Sequence, residues 1–329
     1  PDAALLSETL DRDQSGVRPP HSKETPKRII LFAAVVIVAG LHSNVRAQDL
    51  DPRAYSRSPV GTNFIVFAYG HQSGDVLVDS TLPLTDVQVK LNSMSFGYGR
   101  TFGLAGRQAN ASLVMPYVRG TVKGTVFETQ TQVSRSGMAD LRARFSLNLI
   151  GSPAMSPKEF ATTKTKTLLG ASVTVVAPNG QYDPNRLVNL GSNRWSVKPE
   201  VGLSHPLGRW TFEFNGGVWF FTENKNFFGG VRRRQKPIAS LQGHVIYTVR
   251  PRMWIAFDST YFQGGRTITN GLLNSDLQKN SRIGATFSLP LTQHHSLKFL
   301  AAKGLTTRIG SDLTLFSVAW QYSWFSKQK

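Results

Sequence analysis

The chain has 329 residues, a formal charge of +18, 40% hydrophobic residues and no cysteine. The length suits two soluble domains or one large β architecture, and the apolar fraction is too low for a bundle of transmembrane helices. Without cysteine there is no disulfide scaffold, no thiolate zinc site and no lipid-anchored N-terminal cysteine. The basic balance leaves a well-solvated surface or contact with polyanions, meaning nucleic acid or anionic lipid headgroups.

Residues 1–26 read as an N-terminal extension with no structural role. Lys27 and Arg28 then precede the apolar run "IILFAAVVIVAGL", residues 29–41. This run is shorter than the roughly 20 residues a bilayer-spanning helix needs. Val45 and Ala47 follow in the small-residue spacing of a cleavage site, so 27–47 is expected to be a secretory signal with the mature chain starting near Gln48. Residues 1–47 hold six Lys/Arg and five Asp/Glu, so the mature charge stays at about +17. Residues 48–60, including "DPRAYSRSPVG", form a polar lead-in.

From Gly61 onward the pattern alternates with period 2. Strands are predicted at about 61–71, 88–102, 109–126, 137–150, 165–177, 194–204, 209–222, 237–249, 253–262, 281–290, 296–303 and 313–325. Tight connections ("GLAGRQ", "HPLGR", "RPRM", "LTQHH") largely alternate with long polar ones ("QSGDVLVDSTLPLTD", "APNGQYDPNRLVNLGSN", "TENKNFFGGVRRRQK", "QGGRTITNGLLNSDLQKN"). Long loops therefore gather at one end, as in an outer-membrane barrel with short periplasmic turns. The exception, "GSPAMSPKEFATTK" at 151–164, is expected to fold as a small periplasmic helix.

The faces of these strands separate cleanly. Ala139, Leu141, Ala143, Phe145, Leu147 and Leu149 oppose Asp140, Arg142, Arg144, Ser146 and Asn148. A soluble sandwich alternates in the same way, so aromatic placement decides. Trp210, Tyr247, Trp254, Tyr322 and Trp324 fall beside the short turns, and Tyr69, Trp195, Tyr261 and Phe262 beside the long loops. Two aromatic belts fit the two interfaces of a bilayer. The expected fold is all-β, a transmembrane antiparallel up-and-down β-barrel of about 12 strands over 61–325. A C-terminal tail covers 326–329, and the barrel belongs in the outer membrane of a Gram-negative bacterium with both mature ends periplasmic.

The stretch "APNGQYDPNRLVNLGSNRWSVKPEVG" at 177–202 resembles the outer-membrane transporter family of the MetA pathway of phenol degradation. "SGDV" at 73–76, "GVWFFTEN" at 217–224 and "WQYSW" at 320–324 are similar to it as well. The resemblance spans roughly residues 61–325. It implies a barrel for uptake of small hydrophobic or aromatic compounds and brings no residue-level binding motif. Such barrels usually end on an aromatic residue; here Trp324 is in register and "FSKQK" follows, a departure from what the barrel-insertion machinery reads.

A twelve-stranded barrel has a narrow, side-chain-lined lumen. Its inward face is expected to carry Asp140, Arg142, Arg144, Arg194, Lys198, Glu200, Glu213, Asp258 and Arg282. These charges line either a hydrated conduit for a small-molecule solute or a salt-bridged plug. Pro116 and Pro199 lie within strands, where proline cannot donate to the ladder, and mark either bulges or a lateral opening toward lipid. The rival class is a lipid hydrolase. His71 and Ser73 are two apart on one strand face, a partial resemblance to outer-membrane phospholipase A, which pairs Ser and His at this spacing and orients the His with Asn. The sequence names no orienting third group here, so the reading is a channel and not an enzyme, with a purely structural barrel as the third class. No metal-ligand spacing and no phosphate-binding glycine loop occurs, so no cofactor is expected. "RRRQK" at 232–236 is placed in an external loop where lipopolysaccharide phosphates are in reach, and nucleic acid is not expected as a partner of an exported barrel.

Overall fold

The computed structural model describes residues 50–78, 84–126, 129–186 and 188–326. The expected extension and signal lie outside these residues, as does the tail beyond Ser326. In chain order the strands are β1 (Thr62–Leu77), β2 (Leu84–Leu104), β3 (Arg107–Val126), β4 (Thr129–Met138), β5 (Arg142–Ile150), β6 (Leu168–Val176), β7 (Ser196–Leu207), β8 (Trp210–Phe221), β9 (Asn224–Phe227), β10 (Val231–Gln235), β11 (Ile238–Arg250), β12 (Met253–Gly264), β13 (Thr267–Thr269), β14 (Leu272–Leu273), β15 (Gln278–Pro290), β16 (His295–Thr307) and β17 (Gly310–Phe325). One short helix, α1 (Pro157–Thr162), stands where the long periplasmic connection suggested it. Its start is fixed by a capping box between Ser156 and Glu159, with Pro157 in the first turn.

Every neighbour in the wall pairs antiparallel, and β1 closes on β17 from Thr62↔Phe325 to Leu77↔Gly310. β4 and β5 act as one wall strand, both paired to β3 and broken at 139–141. The result is a closed barrel of twelve wall strands. Because β1 pairs with both β2 and β17, the wall closes on itself with no terminal strand, the arrangement by which strands cross hydrocarbon. The periplasmic turn between β2 and β3 uses Ala105 (φ 48°) and Gly106 (φ 71°), both left-handed as a tight hairpin turn requires.

No strands were expected in the external connections. β1 nevertheless runs on to Leu77, β4 fills most of the connection expected between 126 and 137, and β14, β13, β10 and β9 form a separate sheet above the barrel. The four strands of that separate sheet are two to five residues long, too short for alternation to show.

Phe67, Phe96, Leu113, Phe145, Val173, Phe212, Phe257 and Phe316 point out of the wall and are exposed. At the periplasmic end Trp320, Tyr322 and Trp324 stack in series at 6.5 and 5.5 Å, and Trp210 meets Tyr247 at 4.8 Å. Two rings depart from the expected belts. Trp254 is buried on the inward face it shares with Ala256 and Asp258. Phe262 packs inside against Val176, Trp219 and Ile238. Side-chain parity along β12, where both residues are even-numbered like Asp258, accounts for both.

Candidate functional site: a plugged lumen beside an unpaired seam

The polar lead-in does not trail away from the barrel. Residues 50–60 run inside it and end at the periplasmic rim, where Val60 N–H donates to the Met155 carbonyl. Leu50 packs against Ala302 and Leu315 on the inner wall. Arg53 donates its backbone N–H to Glu213 at 2.7 Å and a guanidinium N–H to Thr248 at 3.0 Å, with the guanidinium over the Trp254 ring at 5.1 Å. Tyr55 is 3% exposed, and its hydroxyl lies 2.9 Å from Ser172 Oγ and 3.1 Å from Glu200 Oε1. Burial, and then the Glu200 charge, push the Tyr55 phenol up to about 12. Burial also lowers the Arg53 guanidinium from its usual range, against a smaller opposing pull from Glu213.

Glycines on the inward face cut the seat for this segment. A Cβ at Gly170 or Gly202 would overlap the Tyr55 ring, and one at Gly284 would press on Leu50 at 3.0 Å. Small residues in the middle of strands are otherwise a cost, and here the backbone needs them to admit the plug.

Above and around the plug the lumen keeps a cavity of about 1120 Å³. Asp140, Arg142, Arg144, Lys198 and Glu200 line it. Glu200 is the hub: it accepts from Lys198 at 2.8 Å, from Gln242 at 3.2 Å and from Arg144 at 3.4 Å. Arg144 also reaches Asp51 at 3.8 Å and covers the Tyr55 ring at 5.0 Å, so strand and plug share one charge network. Asp140 has a structural task, accepting from Gly180 N–H and from Ser192 N–H and Oγ, which ties the 177–193 loop into the mouth. Glu213 faces Arg53, and Asp258 accepts from Thr286 while meeting the buried His244 Nδ1 at 2.7 Å. No group of three or more His, Cys, Asp or Glu that could hold a metal occurs among the described residues.

Arg194 and Arg282 line a second, smaller cavity of about 60 Å³ toward the external end, with Trp219, Phe221 and Phe262. Trp219 separates the two spaces. It is 2% exposed, with Arg142 and Lys198 over its ring at 5.8 and 5.3 Å on the lumen side.

Gln235 of β10 closes the small cavity on one side, and much of its remaining lining is the wall, including Ser281, Gly304, Thr307, Gly310 and Ser311. There the ladder stops. β16 pairs with β17 from His295↔Tyr322 to Ala302↔Leu315, and no rung joins Lys303–Thr307 to Gly310–Thr314. Each stretch still pairs with its other neighbour, β15 or β1. The β15–β16 register also shifts beside Gly304, and Leu305 stands 63% exposed. The Asp312 side chain sits against Gly304, and its Oδ1 is buried without a hydrogen-bond partner.

The two prolines make smaller interruptions. Pro116 faces the β4–β5 break, where its carbonyl accepts from Ala139 N–H. Pro199 removes rungs toward β8 between Val197↔Phe220 and Glu200↔Gly217, and the register resumes unchanged. The seam was not legible in the sequence, where the predicted strands stop at 303 and start again at 313, on either side of it.

A closed barrel with an apolar exterior, aromatic rims and a charged, plugged interior is an outer-membrane barrel of the channel class. The chain belongs to the family described as "Putative MetA-pathway of phenol degradation", whose sequence model matches residues 68–310. It is similar in fold to the COG4313 outer membrane channel from Pseudomonas putida F1, with TM-score 0.73, 21% identity, 84% of this chain covered and 100% of that one. It is also similar to the transport unit of the autotransporter AIDA-I from Escherichia coli, with TM-score 0.51, 10% identity, 90% of this chain covered and 97% of that one. No protein of curated function matches the chain.

Proposed function

We propose that the protein is an outer-membrane channel for small hydrophobic or aromatic compounds, which enter between the external loops and leave the small cavity through the β16–β17 seam. The observation that carries this reading is the coincidence of an aromatic-lined cavity with a stretch of wall, between β16 and β17, that lacks its ladder. Membership of a family named for phenol degradation agrees with the solute class. The plug closes the aqueous route below; Arg144 and Glu200 hold it through Asp51 and Tyr55, and Arg142 and Lys198 line the chamber beside it. Replacing an unpaired stretch by a gap costs no rungs, so this seam is a better exit than Pro116 or Pro199. Arg232 and Arg234, exposed on β10, are suited to lipopolysaccharide phosphates.

The chain has no cysteine, which gives a clean test. A Cβ at Gly304 would lie 3.1 Å from the Asp312 carboxyl carbon, so Gly304→Cys with Asp312→Cys can bridge the seam. The oxidised double variant should lose uptake of a labelled, poorly water-soluble monoaromatic by intact cells and recover it on reduction. Equal uptake in the oxidised and reduced states would remove the lateral route.

A further inference from the structure

The outward face of β1 holds a constellation that transport does not use. His71 Nδ1 lies 2.9 Å from Asn92 Oδ1, on the strand directly opposite. The same amide oxygen accepts from the Tyr69 hydroxyl at 2.8 Å, and an oxygen facing Nδ1 makes Nδ1 the donor. His71 Nε2 therefore keeps its lone pair. Ser73 follows two residues on, on the same outward face, at a Cα separation of about 6.7 Å. That spacing is within the joint reach of an imidazole and a hydroxymethyl group. Across the ladder Ser73 pairs with Lys90, which is exposed. Neither the Ser73 hydroxyl nor the Lys90 ammonium has a hydrogen-bond or ion-pair partner among the described residues.

Position and surroundings select the substrate. The pair lies between Tyr69, an interfacial ring, and the exposed Asp75, the depth at which headgroup meets chain. His71 closes one end of a groove of about 500 Å³ on the outer wall, whose other walls include Tyr69, Phe287, Phe299, Phe316 and Val318. The bilayer covers this belt, so an acyl chain is the occupant.

We propose that Ser73, His71 and Asn92 form a nucleophile, base and positioning residue that hydrolyse a carboxylic ester of a membrane lipid whose acyl chain lies in this groove. Ser73 Oγ attacks the ester carbonyl carbon and passes its proton to His71 Nε2, while Lys90 faces the developing oxyanion. The carbon–oxygen bond to the glycerol breaks, and Nε2 returns the proton to the departing alkoxide. Water, deprotonated by the same nitrogen, then attacks the acyl carbon; the bond to Ser73 Oγ breaks, Nε2 returns the proton to Oγ, and the fatty acid is released. Asn92 acts through His71, holding the tautomer that leaves Nε2 free.

The test uses the full chain in mixed micelles of phosphatidylethanolamine with calcium present. Released fatty acid is measured beside labelling by an alkyl fluorophosphonate. Wild type should release fatty acid and be labelled at Ser73; Ser73→Ala and His71→Ala should fall to the blank with channel conductance unchanged. Asn92→Ala should lower the rate at least tenfold, whereas Asn92→Asp, which keeps the acceptor, should restore it and move the acid limb of the pH profile upward. Release that is absent in wild type, or equal in wild type and Ser73→Ala, overturns the proposal, as does labelling that survives Ser73→Ala.

Discussion

Gly202→Ala tests the plug through one methyl group. Its Cβ would overlap the Tyr55 ring and also crowd Asn215 Oδ1. To regain a carbon–carbon separation of roughly 3.5–4 Å the ring must move by about 1 Å or more. The hydroxyl then cannot keep both Ser172 at 2.9 Å and Glu200 at 3.1 Å. One neutral hydrogen bond is worth about 1 kcal/mol and one to a charged group about 1.5–3 kcal/mol; weakening of the Arg144 contact over the ring adds about 0.5–2 kcal/mol. Part returns as water solvates the freed groups, so seating is expected to weaken by about 2–4 kcal/mol. At about 1.4 kcal/mol per factor of ten, the unseated fraction rises roughly 30- to 1000-fold.

Planar-bilayer recording reads this as longer and more frequent openings to a larger conductance. Gly216→Ala is the control, because a Cβ there would meet Leu241 at an ordinary 3.5 Å. Both variants should keep the heat-dependent gel mobility of a folded barrel. Openings of Gly202→Ala indistinguishable from wild type and control would refute the view that residues 50–60 gate the lumen through Tyr55.

Three further outcomes are expected. Because the seated Tyr55 phenol is raised to about 12, seating is unaffected below the ordinary tyrosine range near 10 and weakens as pH climbs from there to about 12; conductance should rise over that window in wild type and not in Tyr55→Phe. Cations outnumber carboxylates among the inward charges, and a narrow low-dielectric passage magnifies such an imbalance, so reversal potentials should show anion preference, reduced in Arg142→Gln with Arg144→Gln; cation preference in wild type would contradict this. N-terminal sequencing of membrane-inserted protein should begin near Gln48, and recovery of residues 1–47 on it would contradict the signal reading.

Much of the wall was legible because a strand facing lipid on one side and polar groups on the other alternates without compromise. In β5, Phe145 and Leu147 face out while Ser146 and Asn148 are buried inside. A one-residue slip would put arginines into hydrocarbon at roughly 2–4 kcal/mol each near the midplane. That penalty is what makes the inward position of Arg142 and Arg144 readable. Alternation says which face a ring lies on only if parity is followed to the end, and Trp254 and Phe262 were placed by nearness to a turn instead. The plug was invisible for another reason. "DPRAYSRSPV" is polar because its partners are the polar lumen, and its only trace in the wall is a set of inward glycines at 170, 202 and 284. Asn92 could not be joined to His71 without knowing that β1 and β2 pair in this register.

The plug and the seam also constrain each other. Were the route of a solute straight through the lumen, the Glu200 network would have to break at each passage, exposing Lys198 and Arg144 without their counter-charge. Parting a buried ion pair costs about 3–5 kcal/mol, and here the loss would include the bonds to Tyr55 and Gln242. Widening the seam breaks no rung between β16 and β17 beyond Ala302. It admits water to an Asp312 oxygen that is otherwise buried without a hydrogen-bond partner, relieving a penalty of about 1–3 kcal/mol. For an apolar solute the lateral path is thus the one with the smaller barrier, and Trp219 keeps it apart from the charged chamber below. Asp312→Asn, which lowers that penalty in the closed wall, should therefore slow monoaromatic uptake while leaving ion conductance through the lumen as in wild type. Faster uptake in Asp312→Asn would mean that the carboxylate bars the seam rather than loosening it.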